Sequence, residues 1–174
     1  MNLIQSMPPA TYDWSTWEPG IRATLLFAVK NGRILLIEKK RGLGAGKING
    51  PGGKIDPGET PLEAAIRETQ EELCVTPVNP RKCGELRFAM TMSPHILCHV
   101  FRADDVLGEP QETSEAVPLW TDIDAIPYHR MWEDDRHWLP YLLCLRGFLG
   151  RFVFEEETMR SMDLRTDVDW LSPS

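Results

Sequence analysis

A chain of 174 residues with 42% apolar content is long enough for one domain with a full hydrophobic core. Its formal net charge of −7 argues against a general nucleic-acid coat or an anionic-membrane binder. An acidic protein can still hold a polyphosphate if metal ions supply the positive charge.

No secretory leader or membrane-spanning run is visible, and a cytoplasmic location is expected. Cys74, Cys83, Cys98 and Cys144 show no paired metal spacing and read as reduced thiols. Residues 1–19 have no clear period and contain Pro8, Pro9 and Pro19, so they read as an N-terminal extension. Trp14 and Trp17 within it are expected to pack on the body or on a partner.

Residues 21–29 and 33–38 read as strands joined at Asn31-Gly32, a favourable hairpin turn. Residues 42–53 form a glycine-rich loop with a short extended piece at 47–49. A helix follows. Thr60 is its N-cap, Pro61 its first residue, Glu63 completes a capping box, and it ends near Leu73. Leu62, Ala65, Ile66, Thr69 and Leu73 form its apolar stripe. Residues 85–91 and 96–103 read as strands, 104–113 as a polar loop and 117–121 as a short strand. Trp138, Tyr141, Leu142, Leu145 and Phe148 mark a second amphipathic helix. Residues 151–154 read as a closing strand, and the last residues as a polar periphery. Strands interspersed with two helices predict a mixed sheet between helical layers. His95 and His99 share strand parity, but four residues of strand separate them by roughly 13 Å, so no shared metal is expected.

The first helix carries the chemistry. Glu68, Glu71 and Glu72 fall within an arc of about 100° on a second face. Three like charges so close repel one another. A divalent ion such as Mg2+ or Mn2+ relieves that repulsion and prefers carboxylate oxygen. The plainer alternative is a solvated acidic helix end. A P-loop does not fit the preceding loop, because Gly46-Lys47 is followed by Ile48 rather than Ser or Thr. Lys39, Lys40 and Arg41 border the loop, either to meet phosphate or as a solvated strand end. Glu59 and Arg67 are expected to pair and pin the loop to the helix.

The spacing from Gly53 through Glu59 to Arg67-Glu68-Thr69-Gln70-Glu71-Glu72 resembles the Nudix hydrolase signature. Residues 39–54 and 131–140 are further similar to the MutT-homologue branch, the oxidised-purine nucleoside triphosphatases. The likeness runs from about residue 21 to 165. It implies an α+β Nudix fold, a mixed sheet sandwiched between helices, over residues 20–166, with 167–174 as a tail. It implies hydrolysis of a nucleoside triphosphate to monophosphate and pyrophosphate with Mg2+, Mn2+ being a substitute. The protein would be a monomer or weak dimer with no nucleic-acid polymer and no membrane as partner. Another diphosphate-linked substrate and a silent nucleotide-binding module are the alternatives.

The resemblance also implies site residues. Gly52 would offer its carbonyl to metal, with Glu68, Glu71, Glu72 and Glu115 as carboxylate ligands. Glu72, then Glu68, then Glu115 are candidates for activating water, and Arg67 belongs to the same catalytic set. Thr24, Lys39, Asn49, Gly53, Phe88, Trp132, Asp134 and Asp135 would bind substrate. Neighbouring Asp134 and Asp135 can share a proton and so both accept and donate to an oxidised base. Alternatively, they merely open the second helix. Four departures stand out. Cys74 replaces a glycine, so the helix end is expected to differ, and Thr69 replaces an aliphatic residue and slightly weakens the apolar stripe. Leu43 and Met90 replace aromatic residues and can alter which base fits.

Overall fold

The computed structural model of the protein describes residues 12–171. The expectations for Pro8, Pro9 and residues 172–174 lie outside them. Eleven strands and two α-helices follow in chain order: β1 Ile21–Lys30, β2 Arg33–Lys39, β3 Ile48–Asn49, β4 Gly52–Lys54, α1 Pro61–Leu73, β5 Thr76–Val78, β6 Arg81–Met90, β7 Ile96–Ala103, β8 Asp105–Leu107, β9 Ala116–Asp122, α2 Asp135–Leu143, β10 Phe148–Glu155 and β11 Thr158–Thr166.

Among the described residues, nine strands join one mixed sheet. The path runs β11-β10-β6-β7-β1-β2-β3, with β4 on β1 and β9 on β2. β1 is parallel to β7 and antiparallel to β2. Asn31 and Gly32 both take positive φ, as a two-residue hairpin turn requires. β1 touches β2 only at the hairpin end, Val29 opposite Ile34 and Lys30 opposite Arg33. Further back it leaves β2, and Ala23, Thr24 and Leu25 pair instead with Lys54, Gly53 and Gly52 of β4. The two strands therefore splay apart, and the cleft between them becomes the site.

Strand alternation sorts the core into two layers. Leu26 and Ala28 of β1, with Leu35 and Ile37 of β2, pack with Ala65 and Leu73 of α1. Phe27 of β1, with Ile34 and Leu36 of β2, packs with Trp138, Leu139 and Leu142 of α2. The sheet thus lies between the two helices in an α+β sandwich, as expected.

α1 has the predicted bounds. The Thr60 side chain accepts from the Glu63 amide at 3.1 Å, and the Glu63 carboxylate accepts from the Thr60 amide at 2.9 Å. Its buried face is rotated from the predicted stripe. Leu62 is exposed, while Ala64, Ala65, Thr69, Glu72 and Leu73 are buried. The rotation turns Glu72 inward. Buried Thr69 satisfies its hydroxyl by donating to the Ala65 carbonyl at 2.7 Å. Cys74 adopts the left-handed cap, φ 61°, and its amide donates to the Gln70 carbonyl. The helix end therefore keeps its glycine-type geometry despite the cysteine, at a cost of about 1 kcal/mol.

The second helix is shorter than its apolar spacing suggested. It stops at Leu143, Leu145 is exposed with φ 59°, and Phe148 already belongs to β10. Arg102 of β7 donates to the carbonyls of Leu142 and Leu143, satisfying the helix end. Residues 151–154 are not a closing strand. β10 is interior, paired with β6 and β11. Part of the expected polar loop, residues 104–113, is β8, which pairs with β5. The Trp170 indole donates to the Phe148 carbonyl, and Asp167 pairs with Arg146, so this stretch packs on the body. Trp14 and Trp17 also pack on the body.

Candidate active site

α1 supplies Glu68 and Glu72, and the loop before β9 supplies Glu115. Carboxylate oxygens of all three lie within 4.8 Å of one another. The loop is held by the open carbonyls of the helix end. Thr113 donates its hydroxyl to the Glu72 carbonyl at 2.8 Å, and the Gln111 amide donates to the Leu73 carbonyl at 3.0 Å. Two residues on, the Glu115 amide donates to the Thr113 hydroxyl, and Arg41 holds the Glu115 carboxylate at 2.8 Å.

Arg67 is a bracket. Its Nε and Nη2 donate to the two carboxylate oxygens of Glu59 at 2.7 and 2.9 Å. Nη2 also donates to the Lys54 carbonyl, and Nη1 donates to Glu68 at 2.8 Å and Glu71 at 3.2 Å. The bidentate pair holds Glu59 down at about 2. Loop, helix and one member of the trio are thereby fixed to a single guanidinium. Glu71 lies outside the trio, half exposed and bonded to Arg67. The expected set of Glu68, Glu71 and Glu72 is thus not the set brought together, because Glu71 is turned by one residue away from Glu72.

Burial raises Glu68, against the pull of Arg67. Glu72 is almost fully buried. Desolvation, and then the neighbouring Glu68, push it up to about 8. Among the described residues Glu72 has no salt-bridge partner, whereas Glu68 has Arg67 and Glu115 has Arg41. A buried carboxylate crowded by two others is unfavourable alone, and a hard cation relieves it. The donor set fits one. A Cβ on Gly53 would fall 2.5 Å from the Glu68 carboxyl carbon, so only glycine allows β4 this close to the trio.

The splayed cleft holds a pocket of about 160 Å³ whose lining includes Glu72, Gly52 and Gly53. Thr24, Lys39, Asn49, Phe88, Trp132, Asp134 and Asp135 also line it, so every residue expected to bind substrate meets there. Leu43 and Met90 line it too. Lys40 and Arg41, by contrast, pair with Glu112 and Glu115, and leave Lys39 as the cation facing the cleft. Ile96, Cys98 and Phe154 complete the wall. Strand parity alone does not single these three out from other apolar strand residues.

In the same pocket Asp134 and Asp135 are 2% and 3% exposed. Asp134 accepts from the Trp138 indole at 2.8 Å and makes no side-chain cap bond to the helix backbone. The simple capping alternative therefore does not describe it. Burial raises both carboxyls, and the charge of Asp134 raises Asp135 further. Asp135 Oδ2 and Thr24 Oγ1 are buried with no partner among the described residues. Asn49 spends one oxygen lone pair on the Gly50 amide at 2.8 Å. Phe88 stacks on Phe152, and Trp132 meets Phe154 edge-on. The pocket thus offers aromatic faces and unspent polar atoms together. His95 and His99 bind separate partners, Met90 and Lys82, rather than one another.

Fold and site together set a carboxylate trio that suits a divalent cation beside a pocket lined by aromatic faces and polar atoms. Residues 19–142 match the family model of the NUDIX domain. The chain is 47% identical over 133 residues to the oxidized purine nucleoside triphosphate hydrolase of Danio rerio, covering 76% of this chain and 85% of that one. It is 41% identical over 144 residues to the protein of the same name from Mus musculus, covering 82% and 92%. The crystal structure of a MutT protein from Bacillus halodurans superimposes with a TM-score of 0.74 at 25% identity, covering 84% and 97%. The chain belongs to the Nudix family of hydrolases.

Proposed function

We propose that the protein hydrolyses oxidised purine nucleoside triphosphates, of the 8-oxo-dGTP or 2-oxo-dATP type, to monophosphate and pyrophosphate, and so clears them from the nucleotide pool. The observation that carries this reading is one pocket lined both by Glu72 of the metal-ready trio and by the buried pair Asp134 and Asp135, with Asp135 Oδ2 unspent. The two relatives named for this activity support it.

Glu68, Glu72, Glu115 and the Gly52 carbonyl would hold Mg2+, with Mn2+ as a substitute. Glu71 would join them only by leaving Arg67. When bound, the ion neutralises phosphate oxygens and lowers the pKa of water. Glu72 is the first choice for the base that takes the water proton, since it alone of the three has no salt bridge among the described residues. Glu68 and Glu115 follow. Water attacks the α- or β-phosphorus, its proton passes to the base, and the bridging P–O bond between them breaks to give monophosphate and pyrophosphate. Arg67 positions the loop and Glu68 rather than touching substrate. Lys39 meets phosphate. Phe88 and Trp132 stack on the base, and the Asn49 amide reads its edge. Protonated Asp135 donates to the oxidised carbonyl while Asp134 accepts from a ring N–H. Gly53 and Thr24 shape the pocket.

Leu43 and Met90 favour a second reading, in which a wider pocket takes other purine or diphosphate-linked substrates. We read residues 20–166 as the catalytic unit, acting in the cytoplasm as a monomer or weak dimer on free nucleotide. Among the described residues no helix is long and apolar enough to cross a membrane. The test is to incubate the protein with Mg2+ and 8-oxo-dGTP and separate the products. Equal amounts of monophosphate and pyrophosphate are expected. Diphosphate with orthophosphate, or no cleavage, would overturn the proposal.

A further inference from the structure

Residues 12–18 lie outside the part of the chain that matches the NUDIX model. They nevertheless grip the pocket wall. The Trp17 indole N–H donates to the Phe88 carbonyl at 3.1 Å. Its ring lies near-parallel to His95, with centroids 6.3 Å apart, and the Arg87 guanidinium sits 5.8 Å from it. Tyr12 Oη bonds His95 Nε2 at 3.2 Å, and Trp14 packs edge-on against Tyr12.

His95 passes this grip inward. The β6–β7 register ends at Phe88 opposite Ile96. Beyond it, the Met90 amide donates to His95 Nδ1 at 3.0 Å. Because Nδ1 accepts, the ring proton sits on Nε2 and Tyr12 Oη accepts it. The His95 carbonyl also accepts from the amides of Gly20 and Ile21. Phe88, Met90 and Ile96 all line the pocket. One wall of the pocket is thus tied at Phe88 and Met90, by groups the hydrolytic chemistry does not use.

We infer that Tyr12 and Trp17, acting through His95, are positioning residues that set purine selectivity by fixing the Phe88–Met90 wall. The inference rests on the proposed role of this pocket as the base site. Freeing the wall costs base recognition, while the acidic trio on α1 and the β9 loop is untouched.

The test is steady-state kinetics of the full chain with Mg2+, comparing wild type, Trp17→Phe and Tyr12→Phe on 8-oxo-dGTP and dGTP. Trp17→Phe keeps the ring and removes the N–H. It should raise KM for the preferred purine about fivefold, the worth of one hydrogen bond, with kcat within about twofold. The preference ratio should fall with it. Should Trp17→Phe not fold, Tyr12→Phe gives the same split more mildly. A wild type with no preference for the oxidised base overturns the proposed substrate, and the KM-against-kcat split is then read on whichever purine triphosphate is best cleaved. A split that neither variant produces, with wild-type preference intact, overturns this inference alone. A fall in kcat with KM unchanged overturns it as well.

Discussion

Asp134→Asn separates base reading from phosphate chemistry and carries a stability signature of its own. Asp134 is fully buried, and its carboxyl is pushed from the ordinary 3.8 up to about 6, chiefly by desolvation. The unfolded chain loses that proton near 3.8 and the folded one near 6. Between those values the folded state binds more protons, so stability from this site is greatest below pH 3.8. It declines through the window and is flat above 6. A rise of about two units corresponds to roughly 3 kcal/mol. The amide does not ionise, and its oxygen can still accept from the Trp138 indole. Melting temperature should therefore depend less on pH between 4 and 6, and Asp134→Asn should be more stable than wild type at pH 7. Removing the Asp134 charge also lowers Asp135, whose elevation depends on it after burial. The donor on Asp135 is then lost at lower pH. The ring N–H also loses its charge-assisted hydrogen bond to Asp134, worth about 1.5–3 kcal/mol, so kcat/KM for an oxidised purine should fall roughly 10- to 100-fold. Turnover of dGTP should change by only about twofold. Thermal melts across pH and steady-state kinetics on both nucleotides make the measurement. Parallel melting curves, or an equal loss on both substrates, would refute the reasoning.

Glu72→Gln should lower kcat by about 10²–10⁴-fold with the fold intact, and without metal it should melt higher than wild type, since it removes a buried carboxyl held near 8. Near-normal turnover would move the reactive centre elsewhere. Gly53→Ala drives a methyl into a Glu68 carboxylate that Arg67 pins, so it should cost about 1–3 kcal/mol and weaken Mn2+ binding, read by melting with and without the ion. Leu43→Phe adds an aromatic face at the pocket mouth and should lower KM for purines, by up to the roughly 1–3 kcal/mol of a stacked base. An unchanged KM would place Leu43 off the base path.

The site was more legible than the frame around it. Capping chemistry at Thr60 and Glu63 and the periodic strands β1, β2 and β7 declare themselves locally. The acidic helix did so too, because its charge pattern has no structural reason. The choice among its carboxylates was not local. Glu71 and Glu72 are neighbours in sequence, and only the inward rotation of α1 and the docking of the Glu115 loop decide which one joins the trio. The short pair β5 and β8 is not legible because three-residue strands carrying Pro77 or Asp105 show no alternation. β11 was missed because a register shift at Val153/Phe154 breaks the period that Met159, Met162 and Leu164 would otherwise display. The overlong second helix came from apolar spacing that continues past the turn at Leu145 into β10. The role of Tyr12 and Trp17 had no local signal beyond their aromatic content, since their partners lie some seventy or more residues away.

The most direct measurement is pyrophosphate release with Mg2+ from 8-oxo-dGTP, 2-oxo-dATP, dGTP, dATP and dCTP under one condition. The account predicts a kcat/KM for at least one oxidised purine well above that for every unmodified nucleotide. Equal rates on all five would leave a hydrolase whose acid pair does not read the base, and would contradict the account.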